Sequence, residues 1–146
     1  MKDIRNSLNT FWNSFLNRNS TLPEPIPVKA FQTGFAVTTD EKGKPKAPDF
    51  PYITFELIRP DLLDFTVTSA NVWCRKESSP AAYGLLDDIL QQITEKIPSG
   101  GHLLDVNEKG KIWILRSNPF IQYMDEPDNQ TIVRGIVRYI INIYTL

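Results

Sequence analysis

Two side chains in this sequence are suited to nucleophilic or metal chemistry, the single histidine His102 and the single cysteine Cys74. A catalytic serine or thiol needs a base within hydrogen-bond reach. His102 follows Gly100-Gly101 at the expected start of a strand, and no motif surrounds Cys74 or any serine. Cys74 falls within an alternating strand pattern, where a buried structural thiol is the commoner role. A zinc site takes about four His or Cys ligands, which one histidine and one cysteine do not supply. Asp125, Glu126, Asp128 and Asn129 offer oxygen ligands of the kind calcium takes. Pro127 interrupts them and the spacing is wrong for a calcium loop, so a solvated turn is expected. Ser99-Gly100-Gly101 has the composition of a phosphate cradle, but such loops follow a strand and open a helix. Here the order is reversed, and the glycines act as a helix stop. Asp87-Asp88 sits in the first half of a helix, where acidic groups suit the dipole. These residues define no enzyme, and no cofactor or metal is expected.

The remaining candidates are cationic. Lys42, Lys44 and Lys46 cluster in one segment together with Asp40, Glu41 and Asp49, which neutralise them. Across the chain 16 basic residues stand against 17 acidic ones, for a formal charge of -1. That balance argues against a nucleic-acid binder, which needs a basic surplus to displace counterions. A lone cysteine forms no internal disulfide, so nothing requires an oxidising compartment. No apolar run approaches the roughly 20 residues that span a bilayer. The first residues also lack the apolar core and cleavage site of a signal peptide. A cytoplasmic protein is expected, with 146 residues forming one domain, 1–146, around one core.

The elements that must position these groups follow from periodicity. Ile4, Leu8, Phe11, Trp12, Phe15 and Leu16 recur at helical spacing, predicting an amphipathic helix over residues 3–17 that packs on the domain's own sheet. Pro23, Pro25 and Pro27 then impose an extended crossing. Val28 to Thr39 has the composition of one or two short strands, with a bend at Gly34. Asp40-Glu41-Lys42-Gly43-Lys44 fits a type I turn closed by a left-handed glycine, and Asn107-Glu108-Lys109-Gly110-Lys111 repeats it. Turn chemistry accounts for the repeat, because the flanking residues do not match. Pro45, Pro48 and Pro51 delay regular pairing, so residues 40–51 are expected to protrude as a long loop.

From Tyr52 the alternation is clean, with Ile53, Phe55 and Leu57 on one side and Thr54 and Glu56 on the other. Arg59-Pro60-Asp61 ends that strand. A second strand runs from about Phe65 to Cys74, and neither of its faces is wholly apolar. Ser78 or Ser79 can cap the next helix, with Pro80 in its first turn. Leu86, Ile89, Leu90, Ile93 and Ile97 form its buried stripe. A hairpin of residues 102–106 and 111–116 follows, then an extended piece over 119–124. The apolar residues of the last segment, 131–146, fit both the helical and the strand period, but its crowded Ile and Val favour a long strand. Val133, Val137, Tyr139, Ile141 and Ile143 would face the core, and Arg134 and Arg138 would share the other side with Ile132, Ile136 and Ile140. The order α-β-β-β-α-β-β-β predicts an α+β domain, a mainly antiparallel sheet flanked by an N-terminal and a central helix.

This series of parts resembles the tail terminator (tail-completion) proteins of long-tailed bacteriophages and prophages. The most specific piece is Pro51-Tyr52-Ile53-Thr54-Phe55, similar to the family's Pro-Tyr-Ile-Thr-Tyr strand start after an extended loop. The helix 81–97, with Leu85-Leu86 and Ile93, matches in place and length. The resemblance implies a structural protein without catalytic residues. Such a protein would cap the finished tail tube as an oligomeric, six-membered ring and offer the surface that joins the head. Its partners would be further copies of itself, the tail-tube protein and the head-tail connector protein, with neither a membrane nor a specific nucleic acid. It would act in the host bacterial cytoplasm during assembly and then reside in the virion neck. Lys42, Lys44 and Lys46 in the loop, and Arg134 and Arg138 on the last strand, are the candidate subunit or tail-tube contacts. An intramolecular salt bridge, with Glu56 for example, is the competing role for both arginines. The alternatives are another neck protein, such as a head-completion or connector adaptor, and an unrelated small ligand-binding domain or enzyme.

Overall fold

The computed structural model describes residues 2–18, 22–57, 66–76, 84–106 and 110–145. The expected stop at Arg59-Pro60-Asp61, the cap at Ser78 or Ser79 with Pro80, and the start of the second turn lie outside these residues. The fold is α+β. Helix α1 (Lys2–Trp12) is followed by β1 (Leu16–Asn17), β2 (Ile26–Pro27), β3 (Lys29–Gln32), β4 (Thr38–Thr39), β5 (Pro45–Lys46), β6 (Tyr52–Phe55) and β7 (Thr66–Arg75). Helix α2 (Gly84–Lys96) then leads into β8 (His102–Asp105), β9 (Gly110–Asp125) and β10 (Ile132–Thr145).

Six of the strands form one sheet in the order β3-β6-β7-β10-β9-β8. Only β3 and β6 run parallel, and the other neighbours are antiparallel. The parity expected for β10 is borne out: Val133, Val137, Tyr139, Ile141 and Ile143 are buried. On β7 the buried side is Thr68, Ala70, Val72 and Cys74. Both helices cover this side. Trp12 of α1 lies against Tyr139, their rings 5.3 Å apart. The side chains of Leu86 and Leu90 on α2 reach Gly135, whose missing side chain leaves room for them.

Three expectations are corrected. First, α1 stops at Trp12, so the stripe over 3–17 is too long. Ser14 Oγ bonds back to the Phe11 carbonyl at 2.6 Å, and Asn13 spends its side chain on the Asn9 carbonyl (2.8 Å) and the Ala30 N–H (2.9 Å). Such local bonds compete with helix continuation. Phe15 remains buried, but Leu16 turns outward into β1, paired with Pro27. Second, the 40–51 segment is not wholly unpaired, because β4 and β5 form a small hairpin. Its turn is the expected one, with Gly43 at φ +76°. The Asp40 carboxylate accepts the backbone N–H groups of Lys42 and Lys44 at 2.8 and 2.9 Å. Third, the two extended pieces over 111–116 and 119–124 are one strand, β9, interrupted by a bulge. Val137 pairs with Ile121 and Tyr139 with Arg116, so residues 117–120 stand opposite Arg138 alone.

Among the described residues no helix is long and apolar enough to cross a membrane.

Candidate functional site

Because both helices lie on one side of the sheet, its alternate side chains form a second face that no described helix covers. The pairing register builds that face row by row. Tyr52 lies opposite Trp73, which lies opposite Arg134. Thr54, Asn71 and Ile136 form the next row. Glu56, bonded through its N–H to the Ser69 carbonyl, continues into Ser69 and Arg138. Val67 and Ile140 follow.

The first row is a stack of aromatic and guanidinium planes. Phe31 meets Tyr52 edge-on at 6.4 Å, and Tyr52 and Trp73 stack at 6.2 Å with 18° between their planes. Arg134 lies 5.2 Å over Trp73. At the other end Phe50 touches Tyr52 at 5.3 Å and carries Arg75 at 4.8 Å. The Trp73 indole N–H donates to Thr54 Oγ1 at 3.0 Å, satisfying a polar group in a half-buried position. Burial in this row raises the Tyr52 phenol above its ordinary pKa. Each cation–π contact of this type contributes about 0.5–1 kcal/mol where solvent is near, so the row stiffens the face without adding much to stability.

The expected contact residues fall in separate places. Lys42 and Lys44 are exposed in the β4–β5 turn, and Lys46 pairs with Asp49 at 3.6 Å. Lys46 borders a cleft with Lys29, Pro48 and Phe50. The arginines border the sheet face instead. Arg134 pairs with Glu126 at 3.0 Å, so its ion pair is intramolecular, with Glu126 and not Glu56 as partner. Arg138 donates to the neutral Gln122 Oε1 at 2.9 Å and borders a depression with Glu56, Val67 and Ser69. The lysines and arginines thus do not converge on one surface depression.

Nor do Cys74 and His102. Cys74 is buried in β7, and His102 lies on β8. Those strands stand three positions apart in the sheet, which is roughly 14 Å at the usual strand spacing. His102 instead packs on Phe11, ring centres 5.5 Å apart, beside a groove of about 340 Å3 between α1 and β8. Desolvation, aided by Lys96, lowers its pKa. Tyr123 donates to Asp87 Oδ1 at 2.6 Å. Desolvation first, then that carboxylate, push its phenol up to about 12. Inside the core, burial raises the Tyr139 phenol, with Trp12 and Thr68 as its polar neighbours. Among the described residues no cluster of three or more His, Cys, Asp or Glu could hold a metal ion.

The aromatic row escaped the sequence reading. Tyr52 and Trp73 each show as alternating strand residues, but their stacking depends on a register between strands that one strand's pattern does not reveal.

Comparison of the chain with protein-family models, with curated proteins and with solved structures produced no match.

Proposed function

We propose that this protein is a structural assembly component of a long-tailed phage or prophage, a tail terminator that caps the completed tube and presents the head-joining surface. The reading rests on the resemblance carried by Pro51-Tyr52-Ile53-Thr54-Phe55. The observation that supports it best is the sheet into which this segment leads, with helices on one side and on the other a half-polar, largely half-exposed face that no described helix covers, on which Thr54 and Ile136 are buried. Such a face suits contact with other proteins better than it suits enclosure of a small substrate. In this reading the protein has no catalytic step, no cofactor and no membrane or specific nucleic-acid partner. Its partners are its own copies, the tail-tube protein and the head-tail connector protein. Its course runs from the host cytoplasm to the virion neck.

The test is deletion of the gene from its phage or inducible prophage, followed by electron microscopy of the lysate. The expected result is overlong or ragged tails separated from filled heads. Tails of normal length beside leaking heads would overturn the terminator reading in favour of a head-side neck protein. Intact particles would overturn both and direct attention to the groove beside His102.

A further inference from the structure

We propose that the open sheet face is a docking surface for a second copy of the chain, the two sheets meeting face to face about a two-fold axis that runs along β7. The proposal does not depend on the phage reading, since a two-fold pair closes on itself whereas a ring is built from head-to-tail contacts.

Charge complementarity carries it. An axis along β7 exchanges the flanking strands β6 and β10, because these are its two neighbours in the sheet. Glu56, at the end of β6, and Arg138, on β10, share the row of Ser69. Each copy's Glu56 is therefore laid over the other's Arg138, twice per pair. Among the described residues neither side chain has an ion-pair partner, and Arg138 holds only the neutral Gln122. Both stand about 4.8 Å from the axis, and packed sheets lie about 10 Å apart, a gap that a Glu and an Arg together can bridge. Aligned sheets cross at roughly 30°, which displaces side chains least near the axis.

The apolar pattern agrees. Val67 is 57% exposed and lies on β7 itself, so the axis sets it against its own copy. With β7 as axis, β3 falls over β9 and β6 over β10, so five strands overlap. β7 has ten residues but β3 and β6 only four each, so at usual strand dimensions the overlapping strands give about 400 Å2 per copy, about half a standard specific interface, which suits a weak, concentration-dependent pair. A strongly charged partner fits less well, because Glu56 stands among the arginines and Arg134 is already paired with Glu126.

Sedimentation analysis of the purified chain over a range of concentrations tests the proposal. The wild type should show a monomer–dimer equilibrium. Arg138→Glu and Glu56→Arg should each weaken it by at least about tenfold, since each sets like charges face to face twice. An equimolar mixture of the two variants should dimerise like the wild type, and so should the double swap Arg138→Glu/Glu56→Arg. A wild type that stays monomeric overturns the proposal, as do single variants that associate normally or a mixture that fails to recover. Thermal melts establish that each variant is folded, and the double swap decides the matter if a single variant is not. Larger rings indifferent to the swaps would overturn the face-to-face pair and leave the tail-terminator reading standing.

Discussion

Gly135 is a close approach of the central strand to the second helix, and it gives a quantitative test of the helix–sheet layer. A side-chain carbon placed there would lie 2.8 and 2.9 Å from the two methyls of Leu90 and 3.3 Å from Leu86 Cδ1. Ordinary carbon contacts are about 3.5–4.0 Å, so Leu90 or the helix would have to retreat by somewhat under 1 Å. Overpacking of this kind costs about 1–3 kcal/mol. Gly135→Ala also removes unfolded-state freedom, which returns about 0.4–1 kcal/mol. The net expectation is destabilisation by about 1–2 kcal/mol, or a melting point lower by roughly 2–8 °C at this chain length. Leu90→Ala alone should cost about 2–5 kcal/mol through its cavity. In that background the alanine at 135 gains its space, so its cost should vanish, giving a coupling of about 1–2 kcal/mol. Urea denaturation of the wild type, both single variants and the double variant measures all four corners. Additivity within about 0.5 kcal/mol would refute the placement of α2 over Gly135.

Gly101 should be still less tolerant of substitution. Its φ is +88°, and an added carbon would lie 2.6 Å from Leu115 Cδ2 and 2.9 Å from the Ile114 carbonyl oxygen. It would also strike the Trp113 indole nitrogen, which donates to the Gly100 carbonyl at 3.1 Å. Gly101→Ala should therefore cost about 2–4 kcal/mol, from backbone strain and steric overlap together. Gly100→Ala, with nothing within 4 Å, should stay within about 0.5 kcal/mol, and equal melting points for the two variants would count against this turn. The lowered pKa of His102 predicts an acid-side loss of stability. Below about pH 6.5 the unfolded chain takes up the proton before the folded one, so stability falls until the folded pKa is passed and then levels. His102→Gln should flatten that part of the profile, and an unchanged slope in urea titrations between about pH 7.5 and 5 would contradict the burial of this ring.

Side-chain parity was legible wherever a strand had one apolar side. Ile53 and Phe55 could be assigned to the core because period-two alternation is a local property, whereas the last strand is apolar on both sides, with Ile132, Ile136 and Ile140 beside its arginines. The α2 stripe was legible for the same reason, and Leu86, Ile89, Leu90 and Ile93 are buried. The end of α1 was not. Phe15 continues the helical spacing from Phe11, and what stops the helix is a set of side-chain bonds from Asn13 and Ser14, one of them to the distant Ala30. The order of the strands was equally hidden, since β7 and β10 become neighbours across a long stretch of chain that includes α2, β8 and β9. The row from Phe31 through Tyr52 and Trp73 to Arg134 inherits that limit. Its members come from four strands, and only their register makes them one surface.

The position of β10 has a consequence for synthesis. It lies between β7 and β9, and every other strand of the sheet precedes it in the chain. Until it emerges from the ribosome, β3-β6-β7 and β8-β9 are separate fragments with no strand to join them. Each then presents a long unpaired edge, ten residues on β7 and sixteen on β9. Such edges are templates for aggregation, and closure through distant pairings is slow. Recovery of native protein should therefore depend on how long the nascent chain waits for its central strand, and a holdase chaperone that covers the open edges should raise the soluble yield.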